Sequence, residues 1–198
     1  DSHYHLVRWS DDNTESSRKI KVTSDLTLHA LCAIDEFEVT GNVTNGKILG
    51  VGKYDYGTTI ELTAVANDGY HFVRWSDGVT DATRILTVVE NVSMVAEFAV
   101  NVYEVILSYT GEGDVIGAGE YEYGKAAKVI ATPKEGYHFV CWSDGSTEAN
   151  RNIVIVEDLS LTAEFAINVY SVIVSAENAV VNGAGKYNHG EIAEISVS

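Results

Sequence analysis

The sequence predicts an all-β protein: a tandem array of small, mostly antiparallel β modules of about 66 residues each, with little helix. Three observations predict it. One ten-residue stretch occurs three times, and its tryptophans, Trp9, Trp75 and Trp142, are 66 and then 67 positions apart. A second motif, Gly-x-Gly-x-Tyr-x-Tyr/His-Gly, begins at Gly50, Gly117 and Gly183 and keeps the same step. Short β-branched and aromatic runs alternate with period two between Gly-rich turns, and no stretch sustains a 3.6-residue period with caps.

The tryptophan stretch reads Gly-Tyr-His-Phe-Val-Arg-Trp-Ser-Asp-Gly over residues 69–78. Residues 136–145 repeat it with Cys141 for the arginine, and residues 3–12 are a worn copy with Leu6 for Phe and Asp12 for the last Gly. All three tryptophans of the chain lie in these copies. A third motif, at residues 26–30, 93–98 and 160–165, closes each period. Fixed-period self-similarity over a whole chain is the mark of a repeat array.

One period, taken in order, reads as follows. Residues 101–108 form a strand, and residues 110–114, Thr-Gly-Glu-Gly-Asp, a turn cluster. Residues 117–124 combine bend glycines with Tyr121 and Tyr123, two apart and so on one side. Residues 126–132 are a strand closed by Pro133. The tryptophan strand follows, ended by a tight Asp144-Gly145 turn. Residues 153–156 and 161–165 complete the period, joined through residues 156–160 as a short hairpin connection. Phe72 and Trp75 are three apart, which puts them on opposite faces of a regular strand. The strand is either buried on both sides or bulged so that the tryptophan realigns. Phe72, Trp75, Phe98, Phe139, Trp142 and Phe165 are the expected repeat core, with Arg74 and Ser76 nearer solvent.

Two frames fit the period. In one, residues 35–99 and 100–166 are whole modules, 1–34 is the C-terminal half of a module and 167–198 the N-terminal half. In the other, the cut precedes the tryptophan strand and the chain holds three whole units. The first frame is adopted. It leaves an apolar face on each half module, and self-association through those halves is expected. A module this small is marginal alone, so neighbour packing contributes. The links, such as residues 98–102, run almost directly from strand to strand and predict a stiff array.

The bulk chemistry excludes some function classes. Lys+Arg is 13 and Asp+Glu is 29, a formal charge of −16. That balance opposes nucleic acid and anionic membrane surfaces, both of which need cationic partners. No apolar run approaches the roughly 18 residues of a membrane span, and no basic segment followed by an apolar one opens the chain. The two cysteines hold different repeat positions. Cys32, in the place of Phe98 and Phe165, reads as a buried apolar thiol; Cys141, in the place of Arg8 and Arg74, as an incidental exposed one.

No catalytic set stands out: there is no Gly-x-Ser-x-Gly elbow and no Ser/His/Asp or Cys/His group. Gly117-Ala118-Gly119 lacks the helix and Lys-Ser/Thr pair of a phosphate loop. No metal or cofactor motif is present: His5, His71 and His138 recur singly, and Asp11, Asp77 and Asp144 read as turn carboxylates. Tyr54, Tyr56, Tyr121 and Tyr123 are the candidate ligand-binding residues, because tyrosine offers a large, stiff contact surface to a sugar or a protein. Their alternative use is packing against the next strand or module.

These motifs resemble the divergent internalin-B B-repeat family, related to the Listeria–Bacteroides repeats. The resemblance rests on Tyr56-Gly57, Thr63-Ala64, residues 69–78 and Ala96-Glu97-Phe98, and on their copies at Tyr123-Gly124, residues 136–145 and residues 161–165. It implies β-grasp-like modules from bacterial cell-surface or secreted proteins, serving as spacers or adhesive segments. It also implies an extracellular location and carries no catalytic residues. The expected function is a non-catalytic stalk or adhesion region. The alternative is a module that binds a glycan or a host surface protein through its tyrosines.

Overall fold

A computed structural model describes residues 3–198. Every regular element among them is a strand. The chain divides into two compact units between Ala99 and Val100, each holding one whole period and one partial one.

In the second unit one sheet has the spatial order Gly119–Glu122, Val102–Thr110, Leu159–Ile167, Tyr137–Trp142. A second sheet has the order Gly113–Ile116, Ala126–Pro133, Asn150–Val154. The pairings are antiparallel with one exception. Val102–Thr110 and Leu159–Ile167, the first and last strands of the module, run parallel, with Val105 opposite Leu159 and Thr110 opposite Glu164. The two sheets enclose one core. Val105, Trp142, Leu161, Ala163 and Phe165 come from the larger sheet, and Ala127, Val129 and Ala131 from the smaller. Ala127, Val129 and Ala131 alternate with exposed or half-exposed neighbours, the period-two pattern of a strand covered on one face. Each fully buried Val or Leu contributes about 1.5–3 kcal/mol.

The first unit repeats the plan. Its larger sheet has the order Gly52–Asp55, Glu36–Val43, Val92–Val100, Tyr70–Trp75, and its smaller one Gly46–Leu49, Thr59–Ala66, Thr83–Thr87. Glu36–Val43 and Val92–Val100 are again parallel. Its core contains Val39, Leu62, Trp75, Val88, Met94 and Ala96, with Phe72 and Phe98 packed against it. The all-β class therefore holds. Where a helix would cross a β-grasp sheet, each module uses a three-stranded sheet.

The structure resolves the spacing of Phe and Trp in favour of a bulge. Pairing of Tyr137–Trp142 with Leu159–Ile167 shifts register between Phe139 and Cys141. The extra residue turns both rings to the core, with centroids 5.8 Å apart for Phe139 and Trp142 and 5.6 Å for Phe72 and Trp75. Trp75 and Trp142 are wholly buried, whereas Arg74 and Ser76 are exposed.

Two expectations are corrected. The link through residues 156–160 is not a hairpin, because Asn150–Val154 and Leu159–Ile167 belong to different sheets. The chain crosses between them at the buried Ile155, whose N–H donates to Lys125 O and whose carbonyl accepts from Gly124 N–H, each at 2.8 Å. Asp158 then caps the first strand, accepting Glu104 N–H at 2.9 Å. The cysteine assignment also changes. Cys32 is exposed and Cys141 half-buried, with its Sγ 3.9 Å from Glu164. Cys32 does hold a core position, but its half module lacks the sheet that would cover it.

The partial repeats keep fragments of the plan. In residues 3–34, Tyr4–Trp9 pairs antiparallel with Ala30–Ile34 and includes the same register shift. In residues 167–198, Val169–Val172 pairs with Gly185–Asn188, and Val181–Asn182 with Ser196–Val197.

Candidate functional site

The recurring Trp-Ser-Asp-Gly stretch is the densest cluster of polar side-chain contacts, and each residue in it has a separate task. Trp142 donates its indole N–H to Glu148 O at 3.0 Å, and Trp75 to Asp81 O at 2.9 Å, so neither buried ring leaves an orphan donor. Ser143 and Ser76 reach the neighbouring strand twice. Ser143 donates its N–H to Thr162 O at 2.8 Å, and its Oγ accepts Thr162 N–H at 3.1 Å. Ser76 does the same with Val95. Asp144 accepts Ser146 N–H on one oxygen and the Arg151 guanidinium on the other at 2.6 Å. Asp77 uses Val79 and Arg84 likewise. Gly145 and Gly78 take the positive φ that closes the turn.

Asp77 and Asp144 are held below the usual carboxylate range, chiefly by the hydrogen bond from Arg84 and Arg151. A depressed carboxylate contributes stability above its unfolded pKa, and the contribution is lost as pH falls through the folded value, hence below about pH 4. Asp144→Asn should therefore lower the urea midpoint at pH 7. It should also narrow the difference between the pH 7 and pH 3 midpoints, and an unchanged difference would count against the pair.

The arginines of this latch were not foreseen from sequence. The signal was there: Arg18, Arg84 and Arg151 each stand nine positions after a tryptophan. The Arg84 guanidinium also lies 5.9 Å from the Trp75 ring centre, and that of Arg18 5.4 Å from Trp9. The latch is built for folding; every polar group named in it already has a partner within the protein.

The four candidate tyrosines are all half-buried. Tyr54 and Tyr121 pack against their module cores and donate their hydroxyls to Gly50 O at 2.9 Å and Gly117 O at 3.0 Å. Tyr56 stacks on His3, with ring centres 3.5 Å apart and planes 8° from parallel. Tyr123 donates its backbone N–H to Asn101 O at 2.8 Å. Tyr54 and Tyr56 thus have different environments and make no common platform.

The more informative geometry lies where repeats join. Asp35 donates its N–H to His3 O at 3.0 Å and accepts Tyr56 N–H at 2.8 Å on its carbonyl. Its carboxylate meets His5 Nδ1 at 2.9 Å. At the corresponding place in the second unit, Asn168 donates to Gly136 O at 2.7 Å and accepts His189 N–H at 2.8 Å. Its side-chain oxygen meets His138 Nδ1 at 2.8 Å. The ring that fills the junction also alternates. His3 stacks on Tyr56, whereas Gly136 leaves its space to His189, whose ring lies 2.2 Å from where a Cβ would stand.

A groove of about 660 Å³ opens beside the first junction, lined by His5, Asp35, Glu36, Phe37 and Asp55 among others. Among the described residues no three His, Cys, Asp or Glu side chains come together as a metal site. No helix in them is long and apolar enough to cross a membrane.

Comparison with known proteins fits this picture of paired modules. A protein of Evansella cellulosilytica named "Putative membrane protein" is 30% identical over 161 residues, covering 76% of this chain and 24% of its own length. A "Putative Gly-rich membrane protein" of the same organism is 31% identical over 160 residues, covering 76% of this chain and 18% of its own. The chain thus matches a quarter or less of these relatives. The family model described as divergent InlB B-repeat domain matches twice, over residues 37–102 and 103–169. This chain, with its latched tryptophan strands and two consecutive matches, belongs to the divergent InlB B-repeat domain family.

Proposed function

We propose that this chain is a non-catalytic stalk or adhesion segment of a bacterial cell-surface or secreted protein, outside the cell, with residues 35–99 and 100–166 as its whole modules. The observation that carries the reading is the junction. One residue, Asp35 or Asn168, joins consecutive repeats and is held on both sides by backbone hydrogen bonds. A flexible linker has no such bonds, and a spacer needs its repeats fixed. The acidic charge of −16 suits a surface that stays soluble and resists nonspecific contact. The relatives' names associate similar sequence with membranes, in keeping with display at a cell surface.

Amide hydrogen exchange tests the junction. Asp35, Tyr56, Asn168 and His189 N–H should be protected to nearly the same degree as the strands beside them. Exchange at the rate of an unfolded peptide would remove the basis for a stiff spacer. A glycan array run alongside addresses the binding alternative. Saturable binding that disappears in Tyr121→Ala and Tyr123→Ala would replace the stalk reading with recognition through tyrosines.

A further inference from the structure

The two partial repeats are complementary halves of one module. Residues 3–34 hold the tryptophan strand and the closing strand; residues 167–198 hold the first strand and the strands that build the smaller sheet. Each half lacks what the other has. In a whole module the closing strand is flanked on one side by the tryptophan strand and on the other by the parallel first strand. Ala30–Ile34 pairs with Tyr4–Trp9 alone, and Val169–Val172 with Gly185–Asn188 alone, among the described residues. Residues 18–22 correspond to the strands Thr83–Thr87 and Asn150–Val154, yet form no strand. Their partner in a whole module is the long central strand of the smaller sheet, and its counterpart lies in residues 192–198.

The side chains repeat the pattern. Val22 is 73% exposed, where its counterparts Val88 and Ile155 are 0% and 1%. Ile195 and Val197 are 56% and 64% exposed, where Val129 and Ala131 are 0% and 4%. Trp9 is half-buried and Cys32 is exposed, where Trp142 and Phe165 are core. Trp9, Val22, Leu28, Ala30 and Cys32 from one end correspond to one part of the module core. Val172, Ala193, Ile195 and Val197 from the other correspond to the rest.

We propose that residues 3–34 of one copy of this chain and residues 167–198 of a second copy close head to tail into one further module of the same fold. The first strand of the second copy adds in parallel to Ala30–Ile34, and residues 18–22 become the edge strand of its smaller sheet. What selects this occupant is the match of both backbone edges and core positions in repeat register. The contact joins unlike surfaces, so each added copy leaves one open face at each end and assembly continues into filaments or closes as a ring. The proposal does not depend on the stalk reading.

The test uses the whole chain in sedimentation from about 1 to about 500 μM. Masses should rise with concentration in multiples of the chain. Cys32 should react with a thiol probe roughly tenfold more slowly in the assembled form. Val22→Asp and Ile195→Asp should each abolish assembly while leaving the melting of the two whole modules unchanged, since both residues lie outside those cores. Mixed together, the two variants retain one good face each and should give dimers and nothing larger. A monomer at every concentration overturns the proposal. So does association that survives both substitutions, which would place the contact on another face.

Discussion

Trp142→Ala should destabilise the second module by about 3–5 kcal/mol. The side chain is wholly buried within a core it shares with Val105, Val129 and Ala163. Its removal also strands Glu148 O, which loses the indole N–H. Native-state hydrogen exchange reads the effect locally. Protection at Val129 and Ala163 should fall, while Leu62 and Ala96 in the first unit stay as they were. Equal loss in both units would show that the modules do not fold as separate cores. The same change at Trp9 should move the main transitions by less than about 0.5 kcal/mol, because that ring is half-buried in an incomplete module.

The second large effect is expected at a glycine. Gly117 has φ of +113°, and a Cβ there would stand 2.3 Å from Lys128 O on the neighbouring strand. Gly50 and Gly183 have the same relation to Glu61 O and Glu194 O, at 2.1 and 2.3 Å. The first glycine of the Gly-x-Gly motif therefore exists to let two backbones touch, not to cradle a phosphate. Gly117→Ala should cost the backbone strain of about 1–3 kcal/mol and, on top of it, separation of the two strands. Gly124→Ala is the control: φ is +77° and nothing lies within 4 Å, so only about 1–2 kcal/mol of left-handed strain remains. Thermal melting of the two variants should rank them in that order, and equal melting would refute the close-approach explanation.

Strand positions and the repeat core were legible because both depend on local alternation and on the 66–67-residue step. Ala127, Val129 and Ala131 could be placed on one face from their spacing. Pairing was less legible. Val102–Thr110 and Leu159–Ile167 are about as far apart as one module allows, and nothing in their composition names the other as partner. The hairpin expected through residues 156–160 failed for the same reason: adjacency in sequence did not mean adjacency in a sheet. The spacing of Phe139 and Trp142 left two geometries, and only the register shift at Val140 decides between them. Cys32 was misread because repeat position predicts which way a side chain points, whereas burial needs a second layer. At the junctions, Asp35 and Asn168 act mainly through backbone groups, which sequence does not distinguish.

The parallel pairing has one further consequence. The second module begins on Val102–Thr110 and ends on Leu159–Ile167, neighbours that run in the same direction. Tension along the chain pulls Val102 one way and Ile167 the other, so the two strands are drawn lengthwise past each other. The hydrogen bonds between Val105 and Glu164 are then loaded in shear, all together, whereas a hairpin pulled from its open end gives way bond by bond. Forced unfolding is set by the rate of crossing that barrier and not by equilibrium stability. A module with only a small core can in this way still hold mechanical load.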